Sequence, residues 1–166
     1  MIWLIGCIVF STLTVVAVFV PRLPAALTGL LALCCSAVGN YGQMLVDWQT
    51  LIFWGVATAM VIGLHMMLPP FVTRSRAGVP YISGGALAGT AVGMVMATTA
   101  AIICGAALGA FMGALAYWRT PKGRPMLFPS SKFFNYLAAK GLPAVVALSM
   151  TAIALCVCLK NAYPAQ

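Results

Sequence analysis

Apolar residues run along this chain in long uninterrupted blocks, and polar or charged residues collect in the gaps between them. The first block, residues 2–20, would be about 28 Å long as a helix, close to the ~30 Å hydrocarbon core of a bilayer. Pro21-Arg22-Leu23-Pro24 ends it, because two prolines bracketing an arginine forbid a continuous helix and set one charge at an interface. A shorter block covers residues 23–39 and stops at the turn-forming Gly39-Asn40-Tyr41-Gly42. An interfacial loop with Asp47 and Trp48 leads to the third block, residues 51–68, which Pro69-Pro70 terminates.

The stretch from Ile82 to Trp118 carries no charge at all. As one straight helix it would be about 55 Å long, too long for a single crossing. It therefore predicts two short helices, 82–97 and 101–118, turning near Thr98-Thr99, although no Gly, Pro, Asn or Asp marks that turn. Residues 119–140 form the one sizeable polar segment, expected as a basic loop. Within it Ser130 can cap a short helix lying in the headgroup layer, with Phe133, Phe134 and Leu137 on one face. A simple ramp into the last helix is the alternative. That last helix, residues 142–159, would hold Pro143 in its first turn, where a missing N–H costs nothing.

Composition agrees with the pattern. The chain is 63% hydrophobic and 6% charged, with a mean hydropathy of +1.07, whereas soluble domains carry roughly a quarter charged residues. The fold class expected is all-α: a polytopic transmembrane protein of about six short helices, forming one integral membrane domain over residues 1–166. Residues 2–20 read as a retained spanning helix, since no basic leader precedes Cys7 as a signal sequence requires.

Nine Lys and Arg stand against one acid, Asp47. The bases sit singly at block ends and in loops, which points to lipid headgroups and excludes a nucleic-acid surface. With every block crossing once, Arg22, Arg74, Arg76, Arg119, Lys122, Arg124, Lys132 and Lys140 fall on one side, and Lys160 and Asp47 on the other. That asymmetry makes 119–140 cytoplasmic and the N-terminus external. A single crossing by 82–118 would divide the bases almost evenly, so charge supports the hairpin. If residues 23–39 only dip in and return, Arg22 joins Lys160 and the N-terminus lies inside.

Every fourth residue from 85 is small: Gly85, Gly89, Gly93, Ala97, Ala101, Gly105, Gly109, Gly113. Without a hydrophobic drive between helices in lipid, association depends on close backbone approach, which such a glycine zipper allows. The stripe can pack within one molecule, join two copies or a membrane-protein partner, or line a solute path. Arg119, Lys122, Arg124, Lys132, Phe133 and Phe134 are the candidate contacts to anionic lipid headgroups or an acidic partner.

His65 is the one ionisable side chain well inside a block, and such residues are functional candidates. Asp47 lies roughly 27 Å away along the helix and cannot pair with it, leaving a backbone carbonyl, the near interface or a proton-handling role. Cys7, Cys34, Cys35, Cys104, Cys156 and Cys158 lie within apolar blocks with no C-x-x-C and read as small buried residues. No metal or cofactor site is expected. One acid cannot supply a carboxylate pair, and no triad is visible, so the chain reads as non-enzymatic. A packing or assembly component is the first functional reading and a small transporter or channel the second.

These residues also resemble a known family. The bend Pro21-Arg22-Leu23-Pro24 leads to a small-residue segment, and the third helix ends in a basic stretch from Thr73 to Gly78. A zipper pair with Leu108-Gly109-Ala110-Phe111-Met112-Gly113 follows, and a last helix bears Lys140-Gly141. This is similar to the small bacterial glycine-zipper membrane proteins catalogued as domain of unknown function four-fifty-six. The resemblance implies a bacterial inner-membrane location and compact hairpins, with no substrate. Two positions depart from it: Ala114 replaces a glutamate after the second zipper, and Ala25 replaces a glycine after the bend. If that glutamate handles protons, this chain lacks the capacity.

Overall fold

Six α-helices make up the computed structural model, which describes residues 2–20, 24–39, 46–68, 77–96, 98–121 and 130–162. They are α1 (Ile2–Phe19), α2 (Ala25–Gly39), α3 (Trp48–Met67), α4 (Val79–Val95), α5 (Thr99–Trp118) and α6 (Ser131–Ala162). Three of them, α3, α5 and Ser131–Leu159 of α6, are long and apolar enough to cross a membrane, and shorter apolar helices run over Trp3–Phe19, Ala25–Val38 and Val79–Val95.

Local chemistry sets the boundaries. The Pro24 carbonyl accepts from the N–H groups of Leu27 and Thr28 and so opens α2. Asp47 stands at the N-cap of α3 without a side-chain bond to it, which starts that helix at Trp48, earlier than the hydropathy block suggested. Gly78 has φ +73° and turns the backbone into α4, with Pro80 in the first turn, where proline needs no donor. The hairpin turn at 98 does have a signal: the Thr98 hydroxyl accepts from Ala101 N at 3.3 Å, a helix N-cap. Ser130 does the same for α6, accepting from Phe133 N at 3.3 Å.

Two expectations are corrected here. The segment expected as a basic loop over 119–140 is helical from Ser131, and α6 runs unbroken through Pro143, so no separate headgroup-layer helix precedes the last block. Phe133 and Phe134 do not share a face. Phe133 is fully buried and meets Phe111 edge-on at 6.3 Å, whereas Phe134 is exposed. An interior proline costs about 3 kcal/mol, but α6 gains packing on α5 through Phe133, Tyr136 and Leu137, which offsets that cost.

α6 is the central element and packs on all five other helices, while α4 and α5 form the most extensive pairing and α3 packs mainly on α2 and α6. One core cluster, near the start of α6, gathers Ala17, Ile82, Ala114, Tyr117, Phe133 and Tyr136. The other gathers Cys7, Leu33, Trp54, Ile102, Met150 and Ile153. Helix hydroxyls turn inward on their own backbone: Thr14, Thr58, Thr90 and Thr151 each donate to the carbonyl four residues earlier. This removes the penalty a bare hydroxyl would carry in an apolar setting.

Candidate functional site

α4 and α5 meet through their glycines. A Cβ on Gly85 would strike the carbonyl of Gly109, and one on Gly109 the carbonyl of Gly85; Gly89 and Gly105 block each other in the same way. Gly93 faces Ala101, with its carbonyl 2.5 Å from the Cβ position, and Gly113 faces Tyr81. The structure thus brings together all six glycines singled out in the sequence, and their surface is filled by the neighbouring helix. Backbone this close permits Cα–H···O contacts as well as dispersion.

A second feature lies where the end of α1, the start of α2, the end of α3, the start of α4 and the Pro143 region of α6 converge. They enclose a cavity of ≈ 290 Å³ whose lining includes Val18, Ala26, Val61, Ile62, His65, Ser83, Ala139, Lys140 and Pro143. The Ser83 hydroxyl donates to the Val18 carbonyl at 2.9 Å, satisfying one of the carbonyls orphaned at the end of α1 and tying α4 to α1 beside the cavity. Pro143 has no N–H, so the Ala139 carbonyl loses its usual helical donor, and both residues line the same space.

An aromatic group supports this end. The Tyr136 hydroxyl donates to the Ala77 carbonyl at 2.5 Å, and its ring stacks on Tyr117 at 5.7 Å. The Lys140 ammonium sits 5.9 Å from the centre of the Tyr136 ring, in cation–π range. Gly78 is fitted against both tyrosines: a Cβ there would meet the Tyr136 hydroxyl and come within 2.7 Å of the Tyr117 ring.

The other sequence candidates divide. His65 lies in the last turn of α3, and it is exposed where it borders the cavity. Asp47 stands at the opposite end of the same helix. Arg119 closes α5 and is exposed, as are Lys132 and Phe134, whereas buried Phe133 is not a surface contact. Lys122 and Arg124 lie outside the described residues, as do Arg22, Arg74 and Arg76. Cys104 is exposed on α5, unlike the buried role expected of it, and the Cys158 thiol sits 3.1 Å from the Cys7 sulfur. Among the described residues no three His, Cys, Asp or Glu side chains group as a metal site.

Lys140, Ser83 and Pro143 were not recognised from the sequence as site residues. Tyr136 and Lys140 follow Phe133 at helical spacing (i, i+3, i+7), which was the available signal. Compared with known proteins, the chain matches no family model, no curated protein and no solved structure.

Proposed function

We propose that this chain is a multi-pass bacterial inner-membrane protein that performs no chemistry of its own and acts as a packed helical component, with the α4–α5 glycine zipper as its scaffold. The reciprocal backbone contacts of Gly85 with Gly109 and Gly89 with Gly105 carry this reading. They favour the zipper as an internal device, leaving contact with a second copy or another membrane protein to other surfaces, such as that of Lys132 and Phe134. The resemblance to the small glycine-zipper family belongs to the same proposal. So does the orientation with residues 119–130 in the cytoplasm. A membrane-impermeant thiol reagent tests it on single cysteines introduced into a cysteine-free chain: 74 and 124 should label from one face and 47 from the other. Labelling of 74 and 124 from opposite faces would sink the reading.

A small transporter is the second reading. The cavity among five helices favours it, with the Ala139 carbonyl beside it left without a helical donor by Pro143, since free carbonyls lining a cavity commonly serve a solute site. Purified protein in liposomes decides between the two: flux of ions or small organic anions above protein-free vesicles supports transport, and none supports the scaffold.

A further inference from the structure

We propose that the cavity beside Pro143 of α6 holds the headgroup of an anionic phospholipid, of the phosphatidylglycerol type, drawn from the nearer leaflet. The inference rests on the reading that the helices span a bilayer. Its lining combines apolar side chains with Lys140 and His65 and contains no carboxylate. The chain's one acid, Asp47, is at the far end of α3. The Lys140 ammonium in largely apolar walls recruits an anion, because a charge away from water is stabilised by an opposite charge and by hydrogen bonds, and the His65 ring adds a hydrogen-bonding group. The first turn of α2, Pro24 to Leu27, also lines the space, adding the positive end of a helix dipole.

Size and donor pattern narrow the ligand. A cavity of ≈ 290 Å³ is at the small end of ligand pockets. That suits a phosphoglycerol headgroup better than a whole phospholipid. Those chains must lie outside, beside Met66, which is exposed at the cavity's edge. α3 packs mainly on α2 and α6, so its other side offers lateral entry from lipid. A glycerol hydroxyl suits the Ala139 carbonyl, which Pro143 deprives of its helical donor, while the phosphate faces Lys140.

Native mass spectrometry of the full chain in a non-ionic detergent, with dioleoyl phosphatidylglycerol or dioleoyl phosphatidylcholine added, tests this. Wild type should retain the anionic lipid about tenfold better. Lys140→Gln should lower that retention about tenfold and Lys140→Arg should restore it. Lys160→Gln, at the far end of the same helix, should change nothing. Should Lys140→Gln misfold, His65→Asn gives the second reading, with an expected loss of about threefold. Equal retention of the two lipids, or equal losses from Lys160→Gln and Lys140→Gln, overturns the proposal. So does displacement of the lipid by soluble glycerol phosphate at matched concentration, which would mark a free-anion site. Failure of the membrane reading looks different: the protein would appear in the aqueous fraction before any lipid is added.

Discussion

Gly89→Ala measures how far backbone contact holds α4 to α5. The new Cβ would stand 2.8 Å from the carbonyl carbon of Gly105 and 3.1 Å from the Cα of Gly109, whereas relaxed carbon–carbon contacts lie at about 3.5–4.0 Å. The Gly105 carbonyl oxygen is closer still, so the helices must part by about 1 Å, and a gap of that size forfeits about half of each dispersion contact, worth about 0.1–0.2 kcal/mol apiece. Over some tens of atom pairs the loss is about 1–3 kcal/mol, the range of overpacked cores. Alanine returns up to about 1 kcal/mol as the better helix former, leaving a net destabilisation of about 1–2 kcal/mol. Gly84, on the same helix, has nothing within 4 Å of its Cβ position. Gly84→Ala therefore carries only the propensity term and should be neutral or stabilising. Titrating purified protein from mild detergent into dodecyl sulfate, with helicity followed by circular dichroism, gives both midpoints. Equal shifts for the two variants would refute the argument that these backbones are locked together.

Other features are as open to test. Phe133→Ala should cost about 3 kcal/mol in the same titration, as truncation of a buried aromatic does, and Phe134→Ala almost nothing; the reverse order would mean that α6 is rotated from the orientation described. Copper–phenanthroline should link Cys7 to Cys158, whose sulfurs lie 3.1 Å apart, giving a cross-linked peptide by mass spectrometry that Cys7→Ser abolishes. Its absence while Cys104 alkylates freely would contradict the pairing of α1 with α6. Gly78→Ala should destabilise more than Tyr136→Phe, because it combines a left-handed backbone at φ +73° with a clash, whereas the tyrosine loses one hydrogen bond worth about 1 kcal/mol.

What the sequence disclosed and what it concealed follow from different physics. An apolar chain satisfies its backbone most simply as helices, so block lengths, Pro and Gly-Asn punctuation and the charge count together pointed to the six elements. The six close-packed glycines were legible because residues four apart share a helix face, and the two faces meet in the α4–α5 pair. The start of α6 was concealed because Pro143 looks like a first-turn proline when only local hydrogen bonding is considered. The deciding term is tertiary: Phe133, Tyr136 and Leu137 pack on α5, and that outweighs one missing helical bond. The boundary matters beyond secondary structure. Placed in a loop, Lys140 is one solvated base among several; placed one turn before Pro143 on a continuous helix, it faces the cavity that His65 borders from α3 and Ser83 from α4. No spacing rule joins residues 65, 83 and 140, because their proximity comes from helices converging at one end of the bundle. The candidate site therefore depends on packing, and the continuity of α6 through Pro143 is the structural fact on which it turns.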